Sequence, residues 1–403
     1  MLTPYDEYPV HQAAHPFSYV PSTDYSWDDG YYFGVFSPRE RVFLAIGLRV
    51  NPNTDMVGGY TLFNWAGRQY TVRFNRAWRR DFSLRVGPFA IEFVEPLRKI
   101  RLTLDANASE LEFDLLWEGT SPAFLEDHHV SVSRGRRTTD QTRYSQPGHA
   151  RGSIRFGDKH FSVEPNGWSG SRDHSWGLYA ERPPLAPQRH LLPPRHSDGP
   201  QRALRFWTVF RSEPYSGIYH LHETADGRQV KMNDVFGTPF GGQMFKGWSE
   251  DAIPLKAGRH ELELVPGTRM LRRARVFLTD EHGREWRQEI RIASPPWVTM
   301  TMGYTPGSWK DGGTFFTYHG SEELALEWDD FDFSKQPMMY TPYEVSGAAA
   351  RDEFGLGLQY DKPVHGVEYL GELTMIAPDG SRSTGAGQIE FFINGPYEPL
   401  GLE

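Results

Sequence analysis

The chain has no cysteine, which excludes disulfides, thiolate nucleophiles and Cys-ligated zinc or iron–sulfur centres. Long apolar runs are missing as well. The longest stretch, Val42 to Val50, is interrupted by Gly47 and Arg49, short of the roughly 20 residues a spanning helix needs. The N-terminus, Met1 to Glu7, carries neither the basic region nor the apolar region of a secretory signal. The expectation is a cytoplasmic protein with no integral membrane segment. Excess positive charge is absent too: 43 basic against 52 acidic residues leave a net charge of −9, which argues against a nucleic-acid partner held by phosphate contacts. There is no Gly-x-Ser-x-Gly elbow, since Gly167-Trp168-Ser169-Gly170 lacks the final spacing, and no Gly-rich string ends in Gly-Lys-Ser/Thr. Neither a serine hydrolase nor a nucleotide cofactor is expected, and no cofactor is included in the reading. Helical periodicity is scarce, with Ser321 to Trp328 the best short candidate behind a possible Ser321 N-cap.

What the chain does contain is glycine (40), proline (30) and aromatic residues (12 Trp, 19 Tyr, 26 Phe) spread over 403 positions. That mixture favours many short strands joined by turns. Period-2 alternation recurs. Ile100, Leu102 and Leu104 face away from Arg101, Thr103 and Asp105; Leu111, Phe113 and Leu115 alternate with Glu112 and Asp114; Trp286, Ile290 and Ile292 alternate with Arg287, Glu289 and Arg291. Turn dipeptides at Ser37-Pro38, Ala66-Gly67, Gly157-Asp158, Asp226-Gly227, His282-Gly283 and Asp379-Gly380 separate such runs.

The reading is an all-β fold. Roughly twenty candidate strands exceed the about eight of a barrel that holds one ligand, so two antiparallel barrels or strongly bent sheets are expected. The Gly/Pro-punctuated region from Asp234 to Pro254 places the division at 1–240 and 241–403. The Pro-rich stretch 182–200 reads as a long loop of the first unit, either a lid or an insertion. Leu204 to Phe210 and Gly217 to Glu223 read as a hairpin. Trp297, Trp309 and Trp328, with Phe315 and Phe316, read as core and barrel-end plugs of the second unit.

The densest segment is Asn166 to Gly177, which packs three glycines, two indoles, a carboxylate, an imidazole and a guanidinium into twelve positions. Asp173 beside His174 supplies a proton donor and acceptor, and flanking Trp rings exclude water. An irregular turn with Asp173 capping backbone amides explains the same residues. His220-Leu221-His222 is a second constellation: on a strand both imidazoles share one face and could reach one metal, with Asp173, His174, His128 or His129 as further donors.

The string Arg172-Asp173-His174-Ser175-Trp176-Gly177 resembles the His-Asp-His-Asn-Trp-Gly signature of the carotenoid 1,2-hydratase (hydroxyneurosporene synthase) and AttH-like family. Asp173, His174, Trp176 and Gly177 match, whereas Arg172 replaces a His and Ser175 an Asn. The resemblance implies two tandem lipocalin-like β-barrels. It also implies a cofactor-independent acid/base enzyme, either a hydratase/dehydratase, an isomerase or a cyclase. The substrate would be a hydrophobic terpenoid, steroid, polyketide or aromatic alkene.

In that scheme Asp173 protonates a C=C bond, Trp176, Trp168 and Trp207 stabilise positive charge, and His174 accepts a proton. Arg172 either pairs with Asp173 or fixes a polar group of the substrate. Tyr179 and His220 complete the expected binding set. The hydratases carry a carboxylate near the aromatic residue of the next strand, and Leu204 to Arg211 offers Trp207 without one. Two other readings stay open: a non-catalytic carrier of a hydrophobic small molecule, and a metal-dependent hydrolase using His220 and His222.

Overall fold

Antiparallel pairing accounts for every sheet neighbour. The computed structural model describes the chain except residues 10, 12, 134, 180–201, 231–238, 250, 298–301, 305–307 and 333–367, so the Pro-rich stretch 182–200 lies outside the described residues. Thirteen strands form one sheet: β1 (Trp27–Ser37), β2 (Val42–Asn51), β3 (Met56–Trp65), β4 (Arg68–Ala77), β5 (Arg85–Val86), β6 (Phe89–Glu95), β7 (Lys99–Leu104), β8 (Leu111–Gly119), β9 (Phe124–Ser133), β10 (Arg136–Phe156), β11 (Lys159–Val163), β12 (Ser169–Tyr179) and β19 (Ala325–Asp332). Eight more close into a barrel: β13 (Leu204–Ser212), β14 (Tyr215–Glu223), β15 (Phe240–Lys246), β16 (Ala252–Leu264), β17 (Leu271–Asp280), β18 (Glu285–Ile292), β20 (Glu368–Ile376) and β21 (Arg382–Ile393). The fold is all-β and tandem lipocalin-like, one barrel closed and one sheet open but strongly bent. No α-helix occurs among the described residues, and none of their helices is long and apolar enough to cross a membrane.

The bend is visible in ring contacts. Phe63 on β3 meets Phe156 on β10 at 5.1 Å, and Phe74 on β4 stacks on Phe89 of β6 at 4.5 Å, although several strands separate each pair in the sheet order. Alternate residues such as Phe33, Leu44, Leu102, Phe113 and Trp117 therefore share one buried core, and the barrel has its own around Phe206, Tyr219, Leu278 and Phe391. The expected hairpin is present, with Trp207 opposite His220.

Three expectations need restating. Ser321 accepts from the amides of Glu323 and Leu324 at 3.1 and 3.2 Å, but from Ala325 the chain is strand, not helix. β19 covers the edge of β4, which would otherwise leave its backbone groups open. A period of 2 also brings Glu327 and Asp329 to the same fully buried guanidinium of Arg73, a placement that a helical twist would break. The expected division at 240/241 lies inside β15. A Cβ at Gly242 would stand 2.4 Å from the carbonyl of Ile218, so this glycine permits close strand approach.

The connection between β18 and β20 crosses back to the first sheet. Trp297, Phe315 and Phe316 pack on Tyr32, Phe36, Phe43 and Tyr60, outside the barrel core where they were expected. Gly34 of β1 fits the contact between sheet and barrel, since a Cβ there would lie 2.5 Å from Ser171 Oγ of the neighbouring strand and 3.2 Å from Gln388 Oε1 of the barrel.

Candidate active site

Strand β12 carries the Arg-Asp-His-Ser-Trp-Gly string between β1 and β10. Asp173 sits opposite Tyr32 and Ser145, His174 opposite Tyr31 and Tyr144, and Arg172 opposite Phe33 and Gln146. Successive side chains on a strand point to opposite faces, so Asp173 faces the barrel while Arg172, His174 and Trp176 face the interior side of the first sheet. Asp173 and His174 are thus neighbours in sequence and separated by a sheet. Trp168 is buried in the first core, its Nε1 donating to the carbonyl of Ser162 at 3.1 Å. The side chain of Tyr179 lies outside the described residues.

Between the sheet and the barrel is a cavity of about 180 Å³. The first sheet supplies Tyr32, Arg49, Tyr60, Arg143 and Asp173; the barrel supplies Arg205, Trp207, Glu368, Gln388 and Glu390; the crossing connection supplies Trp297, Met302 and Tyr304. Asp173 and Trp207 therefore line the same cavity from its two sides. β13 itself carries no carboxylate here, and Glu390 of the neighbouring β21 lies directly opposite Trp207.

The polar groups are ordered by hydrogen bonds. Arg205 Nη2 donates to Glu390 Oε2 at 2.7 Å. Ser171 Oγ donates to Gln388 Oε1 at 2.5 Å, and Gln388 Nε2 donates to Glu368 Oε2 at 3.0 Å. Arg49 is held by buried Asp28 at 2.8 Å and donates to Ser175 Oγ at 3.2 Å. Trp207 and Trp297 line the cavity with indole N–H donors that have no partner among the described residues.

These surroundings set the two glutamates apart. Burial, then the nearby Glu390 charge, push Glu368 well above the usual glutamate range. Burial also opposes ionisation of Glu390, but the Arg205 guanidinium outweighs it and holds that carboxyl below its usual range. The two carboxyls, shifted in opposite directions, line the same cavity and stand opposite each other in the β20–β21 register.

His220 lies beside Trp207 on the outer face of the barrel and does not line the cavity. Burial and then the Arg205 charge lower His220 to about 3, and burial lowers His222 further. Their rings are 5.4 Å apart. Among the described residues no group of three or more His, Asp or Glu side chains is placed to hold a metal ion. His174 is engaged by Asp29 at 2.7 Å and His128 by Asp140 at 2.6 Å.

Glu368, Gln388, Glu390, Arg205 and Arg49 were not singled out by motif. Their signal was compositional: each is a polar group set in an apolar strand, as in Gln388-Ile389-Glu390-Phe391-Phe392-Ile393 or Leu204-Arg205-Phe206-Trp207. A strand buried on both faces reads as continuous apolar residues, so an isolated charge within one marks a buried polar site.

Comparison with solved structures finds kievitone hydratase from Nectria haematococca, 10% identical, covering 98% of this chain and 96% of that chain with a TM-score of 0.42. CghA, solved alone and with Sch210972, is 9% identical and covers 91% of this chain and 88% of that chain, also at 0.42. No curated protein matches. Residues 2–351 match the profile described as "Family of unknown function (DUF8625)", and the chain belongs to that family.

Proposed function

We propose that the chain is a cofactor-independent acid/base enzyme, a hydratase/dehydratase, isomerase or cyclase, whose chemistry takes place in the cavity between the bent sheet and the barrel. The observation that carries this reading is the carboxyl pair: Glu368 and Glu390 stand opposite each other in the cavity lining, with Arg205 on Glu390 alone, so burial raises Glu368 above its usual range while the guanidinium holds Glu390 below it. Two titratable groups pushed apart in one site are the signature of an acid and its charge partner. The sequence resemblance to the carotenoid 1,2-hydratase and AttH-like family supports the same class of reaction.

In this reading Glu368 donates a proton to an alkene carbon. The rings of Tyr32, Trp207 and Trp297 offer their π faces to the positive charge that develops. Asp173, across the cavity, takes a proton from water during hydration or from the adjacent carbon during isomerisation or cyclisation. The indole N–H groups of Trp207 and Trp297 suit an oxygen on the substrate. His174, on the far face of β12, has no part in this step.

The substrate class is an unsaturated terpenoid, steroid, polyketide or aromatic alkene. At about 180 Å³ the cavity is below the roughly 300–1,000 Å³ of sites that enclose a drug-sized ligand, so it suits the reacting end of such a molecule. The test is turnover of a panel of these alkenes in ¹⁸O-water, read by mass spectrometry. Incorporation of labelled water, or formation of an isomer, that disappears in Glu368→Gln supports the reading. Substrates bound and recovered unchanged across the panel would reject it in favour of a carrier.

A further inference from the structure

The inward face of β12 holds a group that the reaction above does not use. Four buried arginines each rest on carboxylates: Arg49 on Asp28 at 2.8 Å, Arg76 on Asp81 at 2.7 Å, Arg205 on Glu390 at 2.7 Å, and Arg73 on Glu327 and Asp329 at 2.5 Å. Arg172, only 1% exposed, differs. Its Nε donates to the neutral Gln146 Oε1 at 2.8 Å, and its guanidinium lies 5.2 Å over the rings of both Trp117 and Tyr144. Among the described residues it forms no ion pair, and its Nη2 has no hydrogen-bond partner. Asp173 cannot neutralise it, because strand alternation turns that carboxylate to the other face. Burial pushes the guanidinium down from its usual value, as expected of a cation without a counter-charge.

The surroundings of Arg172 point toward an open, aromatic rim. Tyr144 bridges the two zones: its ring lies over Arg172 and its hydroxyl is 3.3 Å from His174 Nδ1. The His174 ring stacks on Tyr31 at 4.2 Å and meets Trp176 at 5.1 Å, and Tyr31 meets Phe93 at 5.5 Å. Trp176 and Phe93 are 37% and 39% exposed, and Leu125, paired with Tyr144 in register, is 62% exposed. Asp29, the acid on this face, is occupied with His174 Nε2 at 2.7 Å.

We propose that this face of the first sheet is a second ligand site, separate from the cavity, that takes a planar conjugated organic acid with its carboxylate on Arg172 and its unsaturated body along Tyr31, Tyr144 and Trp176. A guanidinium fork matches a carboxylate in shape as well as charge. Flat aromatic walls favour a flat, polarisable body. This use also resolves the role of Arg172, where the related hydratase signature has a histidine.

The test is a fluorescence titration of the full chain with cis-parinaric acid, a conjugated polyene carboxylate, and with its methyl ester. The acid should bind saturably at one per chain and the ester at least about tenfold more weakly, the scale of a lost charge-assisted hydrogen bond. Arg172→Met should equalise acid and ester, Trp176→Ala should weaken both, and Glu368→Gln should change neither. Equal binding of acid and ester by the native chain, or no saturable binding of the acid, would overturn the site without recourse to any variant. So would loss of the preference in Glu368→Gln with Arg172→Met silent, which would put the acid in the interface cavity. Should Arg172→Met not fold, the acid–ester comparison and the rim variant Trp176→Ala decide the matter.

Discussion

Replacing Glu368 by glutamine should stabilise the folded chain at neutral pH while sharply lowering turnover, two effects of opposite sign from one substitution. Glu368 is buried, accepts from Gln388 Nε2 at 3.0 Å, and faces Glu390 across β20 and β21, with Arg205, Asp173 and Tyr32 around it. Its folded-state pKa is raised above the unfolded value, so the folded chain keeps a proton that the unfolded chain loses. Below the unfolded value both states are protonated and the contribution is complete. As pH rises past that value the unfolded state ionises first, and stability falls by up to about 1.4 kcal/mol per pH unit while Glu368 stays neutral.

Glutamine retains an acceptor for Gln388 and never ionises, so this slope should vanish. Urea unfolding of both proteins between about pH 5 and about pH 8 reads the difference directly. The gap should widen with pH in favour of Glu368→Gln. Parallel stability curves, or a variant weaker at every pH, would refute the assignment of a neutral buried acid. In the same variant, removal of the proton donor should lower turnover by about 10²–10⁴-fold.

Three further outcomes follow from the same geometry. Asp173→Asn should cut turnover by a similar factor, whereas His174→Gln, on the other side of the sheet, should leave kcat/KM nearly unchanged; steady-state kinetics on one substrate separates them. Arg205→Met should destabilise by about 3–5 kcal/mol by stranding Glu390, and Arg205→Met with Glu390→Gln should recover most of that loss in the same unfolding assay. Trp297→Ala should cost about 3–5 kcal/mol and widen the cavity, which a shift in substrate preference toward bulkier alkenes would report.

Much of the architecture was legible in local pattern. Alternation at Lys99 to Leu104 and at Leu111 to Leu115, and turn pairs such as Ala66-Gly67, identify strands because a half-buried strand must repeat every two residues. The Ser321 segment misled for a related reason: Glu322 and Glu323 behind a serine look like a helix start, yet the edge of β4 and the buried Arg73 supply a stronger non-local partner. Local propensity is a weak prior against such contacts. Glycines at 241 and 242 looked like punctuation because a composition count cannot tell a flexible linker from strands in close approach.

For this chain the order of residues alone determined a cysteine-free, all-β molecule and drew attention to the string around Asp173, since composition and period-2 alternation are properties of the chain itself. Only the tertiary structure decided what lies on each side of the sheet: the barrel beside Asp173, and the core of the first sheet beside His174. Only it brought Glu368, Gln388 and Glu390 from the last strands of the barrel to the first sheet. Which faces of two sheets meet depends on strand register, curvature and packing over long separations, and those contacts, with the desolvation they impose, set which carboxyl is shifted up, which is shifted down and which arginine lacks a counter-charge.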